Sequence, residues 1–152
     1  MKWKTIVNTG AEKGFIVGYN STANTINSGT VVCWAMSGTN DGYNITVPSS
    51  TNASLVAGLA VQSIAASSKG LIQVYGVHDS AVVCRVGSAS NDPLEVGDVL
   101  DIYSASSCLK YAKGGADVIS SLSPMFVAAQ SVASGGASSL STTTAKVFIR
   151  CL

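Results

Sequence analysis

Between Gly58 and Val77 the chain carries a single charged residue, Lys69, and the sequence divides into two apolar runs around the small-residue stretch Ala65-Ala-Ser-Ser68. Short runs rich in Val, Ile and Tyr, bounded by turn formers, specify strands. A helix over Ser54–Ala66 would match the spacing of Leu55, Leu59 and Gln62, but Gly58 is a poor residue inside a helix, and Val56, Val61 and Ile64 are β-branched. The strand reading is the one adopted.

The same grammar recurs along the chain. Candidate strands are Phe15–Tyr19, Thr30–Met36, Asn44–Val47, Leu55–Ile64, Leu71–Val77, Ala81–Val86, Val99–Tyr103, Met125–Val132 and Ala145–Leu152, whereas Ala116–Leu122 fits helix and strand equally. Regular short strands with turns between them predict an all-β fold: a small single-domain β-barrel or β-sandwich with long polar loops. His78-Asp79-Ser80 has the length of a hairpin loop, which would put His78 at a turn. Ser37–Gly42 and Ser134–Thr144, rich in Ser, Thr, Gly and Asn, are expected to be surface loops. Val147, Ile149 and Cys151 alternate along the last run, which should pair inside the sheet. Residues 1–14 form either an N-terminal arm or a first strand, with Thr9–Gly14 as a flexible joint, and residues 15–152 form one β domain.

Charge constrains partners more than fold. Nine basic and eight acidic residues leave a net charge near +1, and charged residues make up 11% of the chain, under half of the roughly 25% typical of soluble domains. Neither nucleic acid nor membrane is expected as a partner on bulk charge. The uncharged run from Gly42 to Ser68 is interrupted by Asn, Thr, Ser, Gln and Pro, so it cannot cross a bilayer, which takes about 20 mostly apolar residues. The opening Met1–Asn8 has only a two-residue apolar patch, too little for a secretory signal, so maturation in the cytosol is expected. A surface so sparsely charged favours assembly with a protein partner over life as a lone monomer.

Cys33, Cys84, Cys108 and Cys151 are widely spaced, with no Cys-x-x-Cys pair. Four buried, reduced thiols are expected, with two disulfides as the alternative. One histidine cannot complete a usual metal set, and no cofactor motif is present. Adjacent His78 and Asp79 point apart on a turn, which disfavours a nucleophile-activating triad. Glu95, Asp98 and Asp101 fall in a turn-and-strand pattern where acids face solvent. No catalytic residue is assigned, and the chain is expected not to be an enzyme.

Several segments, in order, resemble the decoration (cement) proteins of tailed-bacteriophage heads. They are Ala57-Gly-Leu-Ala-Val61, Lys69-Gly-Leu-Ile-Gln-Val-Tyr-Gly76, Val96-Gly-Asp-Val-Leu100, Pro124-Met-Phe-Val-Ala-Ala129 and Lys146-Val-Phe-Ile-Arg150. The resemblance covers roughly residues 56–152. It implies a homodimer or homotrimer, assembled in the host cytoplasm, that binds the major capsid protein on the outer surface of an icosahedral head and stabilises it by bridging capsid subunits. A phage tail, fibre or adhesin β domain is the alternative, disfavoured by the lack of a fibrous repeat. Contact candidates are Lys2, Trp3, Lys4, Ile6 and Val7 in the N-terminal segment, with Trp34, Tyr43 and Phe148 as further aromatic anchors. Trp34 fits a core position equally well.

Overall fold

The computed structural model describes residues 4–8, 11–36, 43–85, 93–103, 107–111, 125–133 and 141–151. They form ten strands: β1 (Lys4–Asn8), β2 (Ala11–Asn20), β3 (Val31–Trp34), β4 (Asn44–Thr46), β5 (Val56–Ala60), β6 (Lys69–Arg85), β7 (Val99–Tyr103), β8 (Cys108–Tyr111), β9 (Phe126–Ala128) and β10 (Ser141–Arg150). The all-β class is as expected.

Topology turns on β6, 17 residues long. Its first part, Lys69–Tyr75, pairs with β2 and β5; its second part, Tyr75–Arg85, pairs with β10 and β8. Two rings therefore close on one strand: β2-β4-β3-β5-β6 and β6-β10-β9-β7-β8. Each ring is antiparallel except at one parallel seam, β2–β4 in the first and β6–β8 in the second. Closure of this kind removes sheet edges that would otherwise invite aggregation.

The two rings have the same connectivity, strand for strand, when β2 is matched to the second half of β6, β3 to β7, β4 to β8, β5 to β9 and the first half of β6 to β10. Register agrees as well. Val31 pairs with Leu59 and Val32 with Gly58, while 68 positions on Val99 pairs with Val127 and Leu100 with Phe126. The isolated bridge Ile26–Ile64 recurs at the same displacement as Leu94–Val132. Gly29 donates its N–H to the Ala60 carbonyl at 2.8 Å, and Gly97 to the Ala128 carbonyl at 2.9 Å. Both glycines have positive φ, 76° and 98°, at the third place of a turn, where a side chain would be strained. The domain is an internal duplication.

Packing follows the duplication. Ile16, Ile26, Val32, Ile45, Ala57, Ile64, Ile72 and Val74 fill the first barrel. Leu94, Leu100, Leu109, Phe126, Ala128, Val147 and Ile149 fill the second. Strand alternation sends Val31 and Leu59 out of the first barrel and into the second cluster, so the interface between units is itself core. At one matched place both barrels need small residues: Gly18 pairs with Gly70 and Ala81 with Ala145, all buried. A Cβ on Gly70 would overlap Ile64.

Several expectations are corrected. Leu71–Val77 and Ala81–Val86 are not two hairpin strands; β6 runs through His78-Asp79-Ser80, because β10 offers a partner from Tyr75 to Arg85 and a bulge opposite Lys146 absorbs the extra residue. His78 is thus a buried strand residue, not a turn residue. Glu12–Gly14 belong to β2 rather than to a joint, and Ser141–Thr144 belong to β10, paired with Arg85–Val82, rather than to a loop. Strand β8 was not anticipated. It places Cys108 beside Cys84 in a disulfide, Cα–Cα 5.9 Å, which replaces two of the four expected free thiols. The expected loop at Ser37–Gly42, residues 134–140 of the other, and Ala116–Leu122 lie outside the described residues.

Candidate functional site

The two parallel seams are closed by different chemistry. In the second barrel the Cys84–Cys108 disulfide ties β6 to the start of β8. In the first, the matching position is Ser21, whose N–H and hydroxyl both donate to the Ile45 carbonyl at 3.2 Å. Beside it the buried Asn20 amide donates to the carbonyls of Asn24, Ile64 and Ala65 at 2.8, 3.0 and 3.1 Å, while its Oδ1 accepts from the Thr22 N–H and hydroxyl. A fully satisfied buried amide of this kind pins three segments together.

Beside the first seam lies a cleft of about 400 Å³ lined by Ser21, Trp34, Met36, Thr46, Asn52 and Leu55 among others. Trp34 is half-buried and packs against the first core. The Asn52 side chain is occupied locally, accepting from the Ser49 N–H and donating to the Val47 carbonyl. Among the described residues no charged side chain lines this cleft.

On the outer wall of the same barrel Tyr19 and Tyr43 meet with ring centroids 5.9 Å apart, and the Lys69 ammonium lies 5.8 Å from the Tyr43 ring centre. The Tyr43 carbonyl accepts the Tyr19 N–H. On the same edge of β2, nearer its start, Lys4, Ile6 and Val7 of β1 stand opposite Phe15, Lys13 and Glu12 in an antiparallel hairpin. β1 and β4 therefore take successive stretches of one edge of β2, and β6 takes the other. Phe148 is remote from them in the ladder, opposite Val77 and Val127 and edge-on to Tyr75 at 5.6 Å. Lys2 and Trp3 lie outside the described residues. Among the described candidates, Lys4, Ile6, Val7 and Tyr43 adjoin β2, while Trp34 lies on β3 and Phe148 on β10.

The titrating groups are few. His78 accepts the Ser80 N–H on Nδ1 at 3.2 Å; burial, with Lys13 adding to it, holds its pKa below the usual value, and a hydrogen bond to the Ala60 backbone and the charge of Asp79 oppose this. Lys13 and Asp79 form a 3.1 Å ion pair that lowers the Asp79 pKa. Burial pushes the Cys33 thiol up to about 11 and the Cys151 thiol up to about 12. Asp98 accepts the Glu95 N–H at 2.8 Å across the Gly97 turn, and Glu95 and Asp101 are exposed. Among the described residues no group of three His, Cys, Asp or Glu side chains could hold a metal ion, and no helix is long and apolar enough to cross a membrane.

Exposed apolar side chains are the site-like feature that remains. Val17 (44% exposed), Met36 (64%) and Val47 (38%) all belong to the first unit, and Val96 (66%) caps the Gly97 turn of the second. Sequence reading missed Val17, Met36 and Val47, since it weighed aromatic anchors and not strand parity. Alternation along β2 with Ile16 inward was the signal available for Val17. No protein-family model matches the chain, and no curated protein does.

Proposed function

We propose that this chain is a capsid decoration protein, binding the outer surface of an assembled phage head and bridging its subunits. The observation that carries the reading is a pair of closed barrels sharing one strand and a joint core, with Val17, Met36 and Val47, three of the four exposed large apolar side chains among the described residues, on one unit. Such a body suits a clamp. Binding to the assembled lattice and not to dissociated subunits stabilises the lattice by mass action, and weak sites add across a symmetric shell. A disulfide-tied seam suits a particle that persists outside the reducing cytosol. The major capsid protein is the partner in this reading, with a homodimer or homotrimer as the bound form.

The internal duplication favours a second reading, a tail or fibre domain, because side-by-side units can be arrayed along an axis. Imaging of particles carrying the tagged chain separates the two. Density spread evenly over the head supports decoration, and density confined to the tail refutes it. Heads stripped of the protein and re-saturated with it should also resist heat better than stripped heads, and equal resistance would count against a clamping role.

A further inference from the structure

The cleft beside the first parallel seam carries side chains that the fold itself does not call for. The duplication supplies the comparison. Trp34 pairs with Ile45 and Cys33 with Thr46 in the first unit, as Ile102 pairs with Leu109 and Asp101 with Lys110 in the second. Ile102 and Lys110 thus stand at the places of Trp34 and Thr46. The second barrel closes on that pair, with Ile102 packed against its core. The indole of Trp34 and the hydroxyl of Thr46 therefore answer to something other than barrel closure.

The polar groups around that indole are held in place and only partly used. The Ser21 hydroxyl donates to the Ile45 carbonyl at 3.2 Å, which leaves its oxygen as an acceptor. Asn52 gives one amide N–H to the Val47 carbonyl and keeps the other. Among the described residues the Thr46 hydroxyl has no partner, so it can both donate and accept. We infer that this cleft binds a neutral saccharide, one sugar ring lying on Trp34 and its hydroxyls shared among Ser21, Thr46 and Asn52. Sugar hydroxyls donate and accept at once, as this mixed set requires, and the C–H face of a sugar ring is drawn to the electron-rich face of an indole. The cleft, about 400 Å³, falls within the range of roughly 300–1,000 Å³ usual for small-molecule sites. An extended peptide has less to hold here: β3 and β4 are each flanked by strands on both sides, and strand addition needs an open edge. The inference stands independently of the decoration reading.

The test begins with the full chain on an array of immobilised oligosaccharides, neutral ones built of hexoses and N-acetylhexosamines beside sialylated and phosphorylated ones. The strongest neutral oligosaccharide is then titrated into the Trp3→Phe chain, whose remaining tryptophan is Trp34, with indole fluorescence as the readout. The expected result is saturable binding of a neutral oligosaccharide that shifts the Trp34 emission. In the otherwise unchanged chain, Trp34→Ile copies the residue at the matched place of the second unit and should abolish binding measured by calorimetry. Thr46→Val removes a hydroxyl that holds nothing within the described chain, and should weaken binding by roughly three- to tenfold. Both variants are first checked for an unchanged melting temperature; should Trp34→Ile fall short, Thr46→Val carries the test alone. Failure of every neutral oligosaccharide to bind overturns the inference, as does binding that survives both substitutions. Stronger binding of the sialylated or phosphorylated set makes the ligand an anion and overturns it too. So does a shift of Trp34 emission by adenosine or a proline-rich peptide where no saccharide produces one. Imaging of particles still decides the decoration reading in each of these cases.

Discussion

Gly29 and Gly97 occupy the same turn in the two units, yet they should not tolerate alanine equally. Both have positive φ, so a Cβ costs roughly 1–2 kcal/mol in backbone strain at either place. Around Gly97 a Cβ would meet nothing within 4 Å, so strain is the whole cost. At Gly29 the Cβ would overlap the carbonyl oxygen of Ser80, a backbone atom in the bulge of β6, while the Gly29 carbonyl accepts the Val82 N–H at 2.8 Å. Relieving that overlap means moving the strand the two barrels share, an overpacking cost of about 1–3 kcal/mol more. In a chain of this length each kcal/mol corresponds to roughly 2–4 °C of melting temperature. Gly97→Ala should therefore lose a few degrees and Gly29→Ala clearly more, in parallel thermal and urea melts. Equal losses would refute the claim that the Gly29 turn is seated against the bulge of β6.

Thiol titration under denaturing, non-reducing conditions should find two free thiols rather than four, and in the native state Cys33 and Cys151, with their raised pKa values, should label slowly at pH 8. Reducing Cys84–Cys108, 24 residues apart, should lower stability by about 2–4 kcal/mol in a urea melt; no change would show that the seam closes without it. The pKa of His78 is depressed in the folded state, so the unfolded chain takes up its proton first: stability is fully present above the unfolded value near 6.5 and declines as pH falls below it. Melting temperature should fall between pH 7 and 5, and His78→Gln should flatten that slope; an unaltered slope would assign it to other groups. Asn20→Ala leaves the Ala65 carbonyl without its side-chain donor, while the Ile64 and Asn24 carbonyls keep the Ile26 N–H and the Thr22 hydroxyl, and should cost about 1–3 kcal/mol by chemical denaturation, against little for exposed Thr25→Ala.

Strand composition made the all-β class legible, and alternation in Val147, Ile149 and Cys151 correctly placed β10 within the sheet. The duplication was written in the sequence too. Ile26-Asn-Ser-Gly29-Thr-Val31 and Leu94-Glu-Val-Gly97-Asp-Val99 share an aliphatic, a glycine and a valine, and Gln62-Ser-Ile-Ala65 matches Gln130-Ser-Val-Ala133. It passed unread because exposed positions of a turn are free to vary, leaving only the residues that fill a barrel or bend a chain. The disulfide was hidden for a different reason. Cys84 and Cys108 meet across a parallel pairing, and sequence distance says nothing about which strands lie parallel. The exposed Val17 was hidden because it looks like a core residue until alternation with the buried Ile16 shows it pointing the other way.

Sharing β6 also orders events during synthesis. Every partner of Lys69–Tyr75 in the first ring precedes it in the chain, so that barrel can close as soon as this stretch leaves the ribosome. The partners of Tyr75–Arg85, β10 and β8, are made later. For the intervening time the nascent chain holds out a strand bearing Val77, Ala81, Val82, Val83 and Cys84 with its ladder groups open, anchored on a finished barrel. Such an extension is sticky towards neighbouring nascent chains. Expression yield should depend on how fast residues 86–150 follow, and slowing translation across that span should send more of the product into aggregates.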